Sequence, residues 1–199
     1  MRIGLLGSHG TGKSTLVDAF LERVPTYETH QEEQSRNVVK KGLGINFETS
    51  LETQVAFKKE FETLINDSDT PKDFITPRTL IDLCAYNLYF FRRPEYGLNQ
   101  TFVNKTLKLM LENLKWWDLY LYIPIEFPIE HEDEFRIGQK ADSNYQIEID
   151  TYVNALLMNY GIPFFTISGT VEERINQMVQ IESIRQIAMK GKDEITSSI

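Results

Sequence analysis

The segment Gly7, Ser8, His9, Gly10, Thr11, Gly12, Lys13, Ser14 matches G-x-x-x-x-G-K-[ST], and it constrains this chain more than any other stretch. It follows Arg-Ile-Gly-Leu-Leu, a short apolar run that reads as a buried strand. It opens a helix over Lys13–Arg23 with Leu16, Ala19, Phe20 and Val24 on one side. In such a P-loop the glycines let backbone N–H groups turn inward around phosphate oxygens. The positive end of the helix dipole points at the same phosphates. Lys13 supplies a cation to the β- and γ-phosphates, and Ser14 a hydroxyl ligand to Mg²⁺. Gly7 to Thr15 is therefore expected to bind ATP or GTP with Mg²⁺. His9 and Thr11 occupy variable positions of the loop, and simple solvent exposure is the favoured reading of His9.

The chain must bury a core around that strand and helix. With 199 residues, 41% hydrophobic and 25% charged, it can build one, and global disorder is excluded. The net charge of −8 opposes a broad nucleic-acid-coating surface, though not a local basic groove. Cys84 is the single cysteine, so no intramolecular disulfide is available. Its setting, Leu-Ile-Asp-Leu-Cys-Ala-Tyr, suits a core thiol rather than a nucleophile. No apolar stretch approaches the ~20 residues that span a bilayer, and no signal peptide is read at the N-terminus. A cytoplasmic setting is expected, without a membrane partner.

Helical and strand patterns alternate along the rest of the chain. Strands are expected at Thr-Tyr-Glu-Thr-His (26–30), at Phe-Ile-Thr (74–76), at 118–125 and at 164–168. Helices are expected over Gln31–Lys41, Ser50–Asn66, Thr79–Phe91, Gln100–Lys115, Tyr145–Tyr160 and Val171–Met189. The tail after Met189 reads as polar and frayed. Alternation of this kind predicts a three-layer α/β sandwich, a parallel five-stranded sheet with helices on both faces. One domain is expected, with a polar lid over residues 126–144.

Five further motifs suggest the chemistry. Glu33 and Arg36 lie three apart after the second strand, with Glu32 adjacent. A carboxylate there can take a proton from an attacking hydroxyl. Gln54, Phe57 and Phe61 share a helix face, and an amide beside two rings suits a planar heterocycle. Arg78 follows the third strand, and Asp82 lies one turn further on. Arg136 and Lys140 follow an acidic run containing His131, where a metal site is not expected. Finally, Gly169, Thr170, Val171, Glu172, Glu173 and Arg174 follow the last strand, and Thr170 with Glu173 makes a capping box.

This layout resembles the small P-loop kinases that include nicotinamide riboside kinase, built on an AAA-type P-loop domain. Deoxynucleoside and thymidylate kinases are more distant relatives. Viral kinases of hydroxymethyluracil in DNA look like the same branch, which would put the protein in a host cytoplasm. The resemblance implies an ATP-dependent phosphotransferase. It implies a carboxylate of the Glu33 region near the acceptor hydroxyl or the metal, a substrate-reading Gln54, a phosphate- or substrate-binding Arg78, a lid carrying Arg136, and Arg174 beside adenine.

One departure stands out. Relatives typically carry Asp-Arg-Ser after the third strand, and here the aspartate position is Pro77. Asp82 could partly replace it, or Glu33 could act alone. Two readings follow. In the first, a kinase moves the γ-phosphate onto a hydroxyl of a nucleoside- or nucleotide-like acceptor, free or as a base within DNA. The DNA variant needs a basic groove, for which Arg92, Arg93, Lys105, Lys108 and Lys115 are candidates, although a solvated helix face explains them equally well. In the second, the protein is a nucleotide-dependent regulator without transferase activity. A GTPase is disfavoured, because no Asn-Lys-x-Asp segment occurs.

Overall fold

Alternation of side chains along β1 (Arg2–Leu6) sets the layering of the molecule. Ile3 and Leu5 point into one core, with Leu16, Val17 and Phe20 of α1 (Lys13–Arg23) and Ile175 and Met178 of α7 (Val171–Thr196). Leu6 points into the other. That second core gathers α3 (Leu51–Asn66), α4 (Leu80–Phe91), α5 (Gln100–Glu112) and α6 (Ser143–Asn159). β3 (Leu119–Tyr122) repeats the pattern, with Leu119 and Leu121 on the α1/α7 side and Tyr120 and Tyr122 on the other. The result is the expected three-layer sandwich. The computed structural model describes residues 1–29, 33–127 and 143–196.

The sheet is wholly parallel, in the order β2 (Phe74–Thr76), β1, β3, β4 (Phe165–Thr166). Register runs through Ile3 beside Ile75, Gly4 beside Tyr120, and Leu121 beside Phe165. Among the described residues the sheet has four strands rather than the expected five. The segment read as the second strand makes a single parallel bridge, Glu28 to Phe74. Its one apolar side chain, Tyr27, packs edge-on to Phe20 and donates its hydroxyl to Glu182. With one anchoring residue, pairing does not propagate.

Gly4 is required by close approach: a Cβ there would lie 2.6 Å from Thr79 Cγ2 and 2.8 Å from Trp117 Cδ1. α2 (Glu33–Lys40) packs on α3 and buries Val38 in the same core. Ser50 caps α3 as expected, accepting from Thr53 N. α7 runs on through residues 190–196, which the sequence suggests are frayed. The Lys, Asp, Glu and Ile of that stretch tolerate helix well, and no glycine or proline follows Gly191 to stop it. Cys84 is buried in the α3–α6 core, and that burial pushes its thiol pKa up, away from nucleophilic use. No described helix is long and apolar enough to cross a membrane.

Candidate functional site

β1 delivers the chain into the P-loop, where three glycines take positive φ: Gly7 at 140°, Gly10 at 73° and Gly12 at 83°. Gly7 also has no room for a side chain, since a Cβ would meet the Ile123 carbonyl oxygen at 2.4 Å. The loop's carbonyls are taken from outside the loop or by its own side chains. Thr11 Oγ1 donates to Ser8 O, Gln146 Nε2 to His9 O, and Arg174 Nη1 to Thr11 O. A loop whose carbonyls are occupied in this way is set to offer its amide edge to an anion.

Lys13 begins α1 and folds back over the loop. Its Nζ donates to Gly7 O, Ser8 O and Thr11 Oγ1. Desolvation lowers its pKa to about 8, opposed by the charge of Asp82, reinforced by Arg78 and opposed again by Asp150. Ser14 and Thr15 lie exposed in the first turn of α1, on the same cavity. No cluster of three or more His, Cys, Asp or Glu fit for a metal occurs among the described residues.

A cavity of about 220 Å³ runs from the P-loop into the α3–α4 wall. Lys13, Arg78 and Asp82 line its charged end, and Gln54, Phe57, Phe61, Tyr86 and Phe90 its aromatic end. The sequence brings Gln54, Phe57 and Phe61 to one helix face, and all three meet here. Arg78 lies 5.9 Å over the Tyr86 ring. The Pro77 turn is held by Thr76 Oγ1, which donates to Arg78 O.

Asp82 is tied on both oxygens. Oδ1 accepts from Gly7 N at 3.0 Å, and Oδ2 from the Thr79 amide and hydroxyl at 2.8 Å each. Thr79 and Asp82 thus close a capping box on α4 while Asp82 anchors the first glycine of the P-loop. Burial pushes its pKa up, against the pull of Lys13 and of the Thr79 and Gly7 donors.

His9 is not solvent-exposed. It is 7% accessible, its ring centroid 4.5 Å from that of Tyr145, with Nδ1 3.1 Å from Tyr86 Oη. Two aromatic helices close over this loop position, which the motif alone leaves open. Four contributors escaped the sequence reading. Tyr86 and Phe90 continue the face of Asp82 along α4, so helical spacing could have found them. Gln146 and Asp150 lie on α6, far along the chain from the P-loop, and nothing local marks them. Asp150 accepts from Tyr122 Oη and Asn154 Nδ2, and burial raises its pKa.

On the far side of the P-loop lies a second cavity of about 120 Å³, lined by Gly10, Gly12, Thr15, Phe127, Val171 and Arg174. Arg174 is buried. It pairs with Glu126, whose Oε2 also accepts from Gly169 N, and its guanidinium lies 5.2 Å over Phe127. The Thr170–Glu173 capping box forms as expected. Glu126 and Phe127, expected to open the lid, are therefore packed against the α7 start. Glu32, Arg136, Lys140 and His131 lie outside the described residues, as do the side chains of Glu33 and Arg36. Of the candidate basic groove, Arg93 is taken by Glu148 and stacks 3.6 Å over Tyr89, and Lys108 pairs with Glu112.

A family model described as an AAA domain matches residues 2–174, and the chain belongs to that family. The fold is shared with small P-loop kinases of known structure. Deoxyadenosine kinase from M. mycoides with bound dATP superposes at TM-score 0.64 with 16% identity, covering 92% of this chain and 100% of that one. Thymidylate kinase from Candida albicans gives 0.62 with 15% identity, over 93% and 92%. NadR in complex with NAD and AMP-PNP gives 0.62 with 13% identity, over 92% of this chain and 48% of that one. No curated protein matches the sequence.

Proposed function

We propose that the protein is an ATP-dependent kinase that transfers the γ-phosphate to a hydroxyl of a nucleoside- or nucleotide-like acceptor, the chain working as one domain. One observation carries this reading: a single cavity joins the P-loop, with Lys13, to an aromatic end with Gln54. Donor and acceptor can meet there without crossing solvent. Deoxyadenosine kinase with bound dATP, of the same fold, supports it.

In this reading Lys13 and the amides of Gly7 to Thr15 hold the triphosphate. Ser14 holds Mg²⁺, which neutralises charge on the phosphate oxygens when bound. Arg78 faces the acceptor end and binds its phosphate or sugar side. The acceptor oxygen forms a bond to the γ-phosphorus as the bond to the β-bridging oxygen breaks, and ADP leaves. The acceptor proton goes to a carboxylate, for which Glu33 or its neighbour Glu32 is the candidate. Arg36, three residues further on, is a candidate for the substrate, Arg136 and Lys140 are candidates for lid cations, and Arg174 is the candidate at the adenine. We assign Asp82 to positioning, because both its oxygens are engaged.

The test is product analysis with ATP, Mg²⁺ and a panel of nucleosides, nucleoside monophosphates and hydroxymethyluracil DNA. We expect a phosphorylated small acceptor, which suits the net charge of −8 better than a nucleic acid does. ATP binding with no phosphorylated acceptor would instead support the regulatory reading, which Pro77 favours.

A further inference from the structure

Two helices from far along the chain grip the P-loop by its carbonyls. Gln146 of α6 donates from Nε2 to His9 O at 2.8 Å, and Arg174 of α7 donates from Nη1 to Thr11 O at 3.0 Å. Each of these side chains is only 2% exposed, so water does not compete for either bond. Tyr145, next to Gln146, sets its ring 4.5 Å from that of His9. α6 thus holds one loop residue by backbone and ring together.

Each bond also fixes the amide that follows. A peptide unit is planar and trans, so its C=O and the N–H of the next residue point in opposite directions. Holding His9 O toward α6 turns Gly10 N–H away from α6. Holding Thr11 O toward α7 turns Gly12 N–H away from α7. Among the described residues neither amide donates to an acceptor. Both glycines border both cavities. They also need holding, because they take φ of 73° and 83°, and glycine moves between backbone wells at little steric cost. Without a side chain to pin it, the His9–Gly10 peptide is free to turn over and set a carbonyl toward an anion.

We propose that Gln146 is a positioning residue for the phosphate seat: by holding His9 O it keeps Gly10 N–H presented to the donor's polyphosphate, as Arg174 does for Gly12. The inference rests on the kinase reading only in taking the P-loop as the seat of the donor phosphates. Gln146 is uncharged, so it acts on an anion through the direction of one amide and not through attraction at a distance.

The experiment uses the whole chain and inorganic tripolyphosphate with Mg²⁺, a probe without base or sugar. Affinity is read by calorimetry and the amide protons by NMR. In the unmutated protein the Gly10 and Gly12 amide protons move downfield on binding, as donors to a charged oxygen do, while Gly7, held by Asp82, stays. Gln146→Met keeps the length of the side chain and removes its donor. It should bind tripolyphosphate and ATP each at least roughly fivefold more weakly, losing the Gly10 shift and keeping that of Gly12. Thermal melts check that the variant is folded. If it is not, the unmutated protein still decides, since a Gly10 amide that does not move on binding overturns the proposal. Unchanged tripolyphosphate affinity in folded Gln146→Met overturns it too. So does a loss in which the Gly10 and Gly12 shifts vanish together, which would be a general loosening of the loop. A phosphorylated acceptor beside a Gly10 shift that survives in Gln146→Met refutes this inference and leaves the kinase reading standing. The expected shifts and affinities with no phosphorylated acceptor do the reverse.

Discussion

The two cavities that meet at the P-loop are built from different materials. The larger one is walled by side chains of α3, α4 and residues 45–46, among them Gln54, Phe57, Phe61, Asp82, Tyr86 and Phe90. The smaller one is half P-loop and first turn of α1, at Gly10, Thr11, Gly12 and Thr15, closed by Phe127, Val171 and Arg174. A side-chain wall can be retuned residue by residue and so carries selectivity. A backbone wall binds what every nucleotide shares, and it leaves little to vary. Asp82 lines the larger cavity and, through Gly7, anchors the loop that the two share, while it caps the helix that carries Tyr86 and Phe90.

The comparison is broken most severely at Lys13. Lys13→Ala should lower turnover by on the order of 10³-fold or more, with the fold intact by circular dichroism, because the transferring phosphoryl loses its nearest fixed cation. Surviving activity would place the chemistry elsewhere. Asp82→Ala removes three buried hydrogen bonds that serve both halves. It should cost about 2–3 kcal/mol in urea unfolding and weaken ATP and acceptor together. Weakening of one ligand alone would show that the carboxylate does not couple the two cavities.

The donor side has its own pH signature. Lys13 holds its proton in the free protein only up to about pH 8, so ATP binding above that pH must take up a proton. Affinity should fall by up to about tenfold per unit from pH 8 upward, measured by calorimetry, and Lys13→Met should flatten the profile. For stability the sign is opposite. The unfolded lysine keeps its proton up to about 10.4, so the desolvation penalty is fully present below pH 8 and is relieved as pH rises through that window. Phe127→Ala is the mildest change on this side. Its ring is half-exposed over Arg174, so it should raise the KM for ATP by a few-fold, about 0.5–1 kcal/mol, and leave the acceptor KM unchanged. Between the two sides, Tyr86→Phe removes the contact to His9 Nδ1 of the P-loop at a similar cost, about 1 kcal/mol, and should move the KM of both ATP and acceptor.

Legibility followed the range of the interactions. The P-loop, the Ser50 cap, the Thr170–Glu173 box and the Gln54–Phe57–Phe61 face are local patterns, repeated every three to four residues or written in consecutive letters, and each stands in the structure as the sequence suggests. His9 was misjudged because its burial comes from Tyr86 and Tyr145, 77 and 136 positions away along the chain. Asp82 reads in sequence as a substitute for the aspartate absent at Pro77. Its engagement appears only when α4 is laid against β1, which brings Gly7 N to its carboxylate.

The sequence by itself determined the nucleotide-binding loop and the alternation that forces a layered parallel sheet, because glycine φ freedom and side-chain periodicity act within a few residues. The tertiary structure alone decided what the loop is held by and what it faces. The Gln146 and Arg174 bonds to its carbonyls and the anchoring by Asp82 all depend on groups brought together by the packing of helices on the sheet. No local pattern encodes such meetings, because they form only when apolar faces are buried and the polar groups among them must find partners.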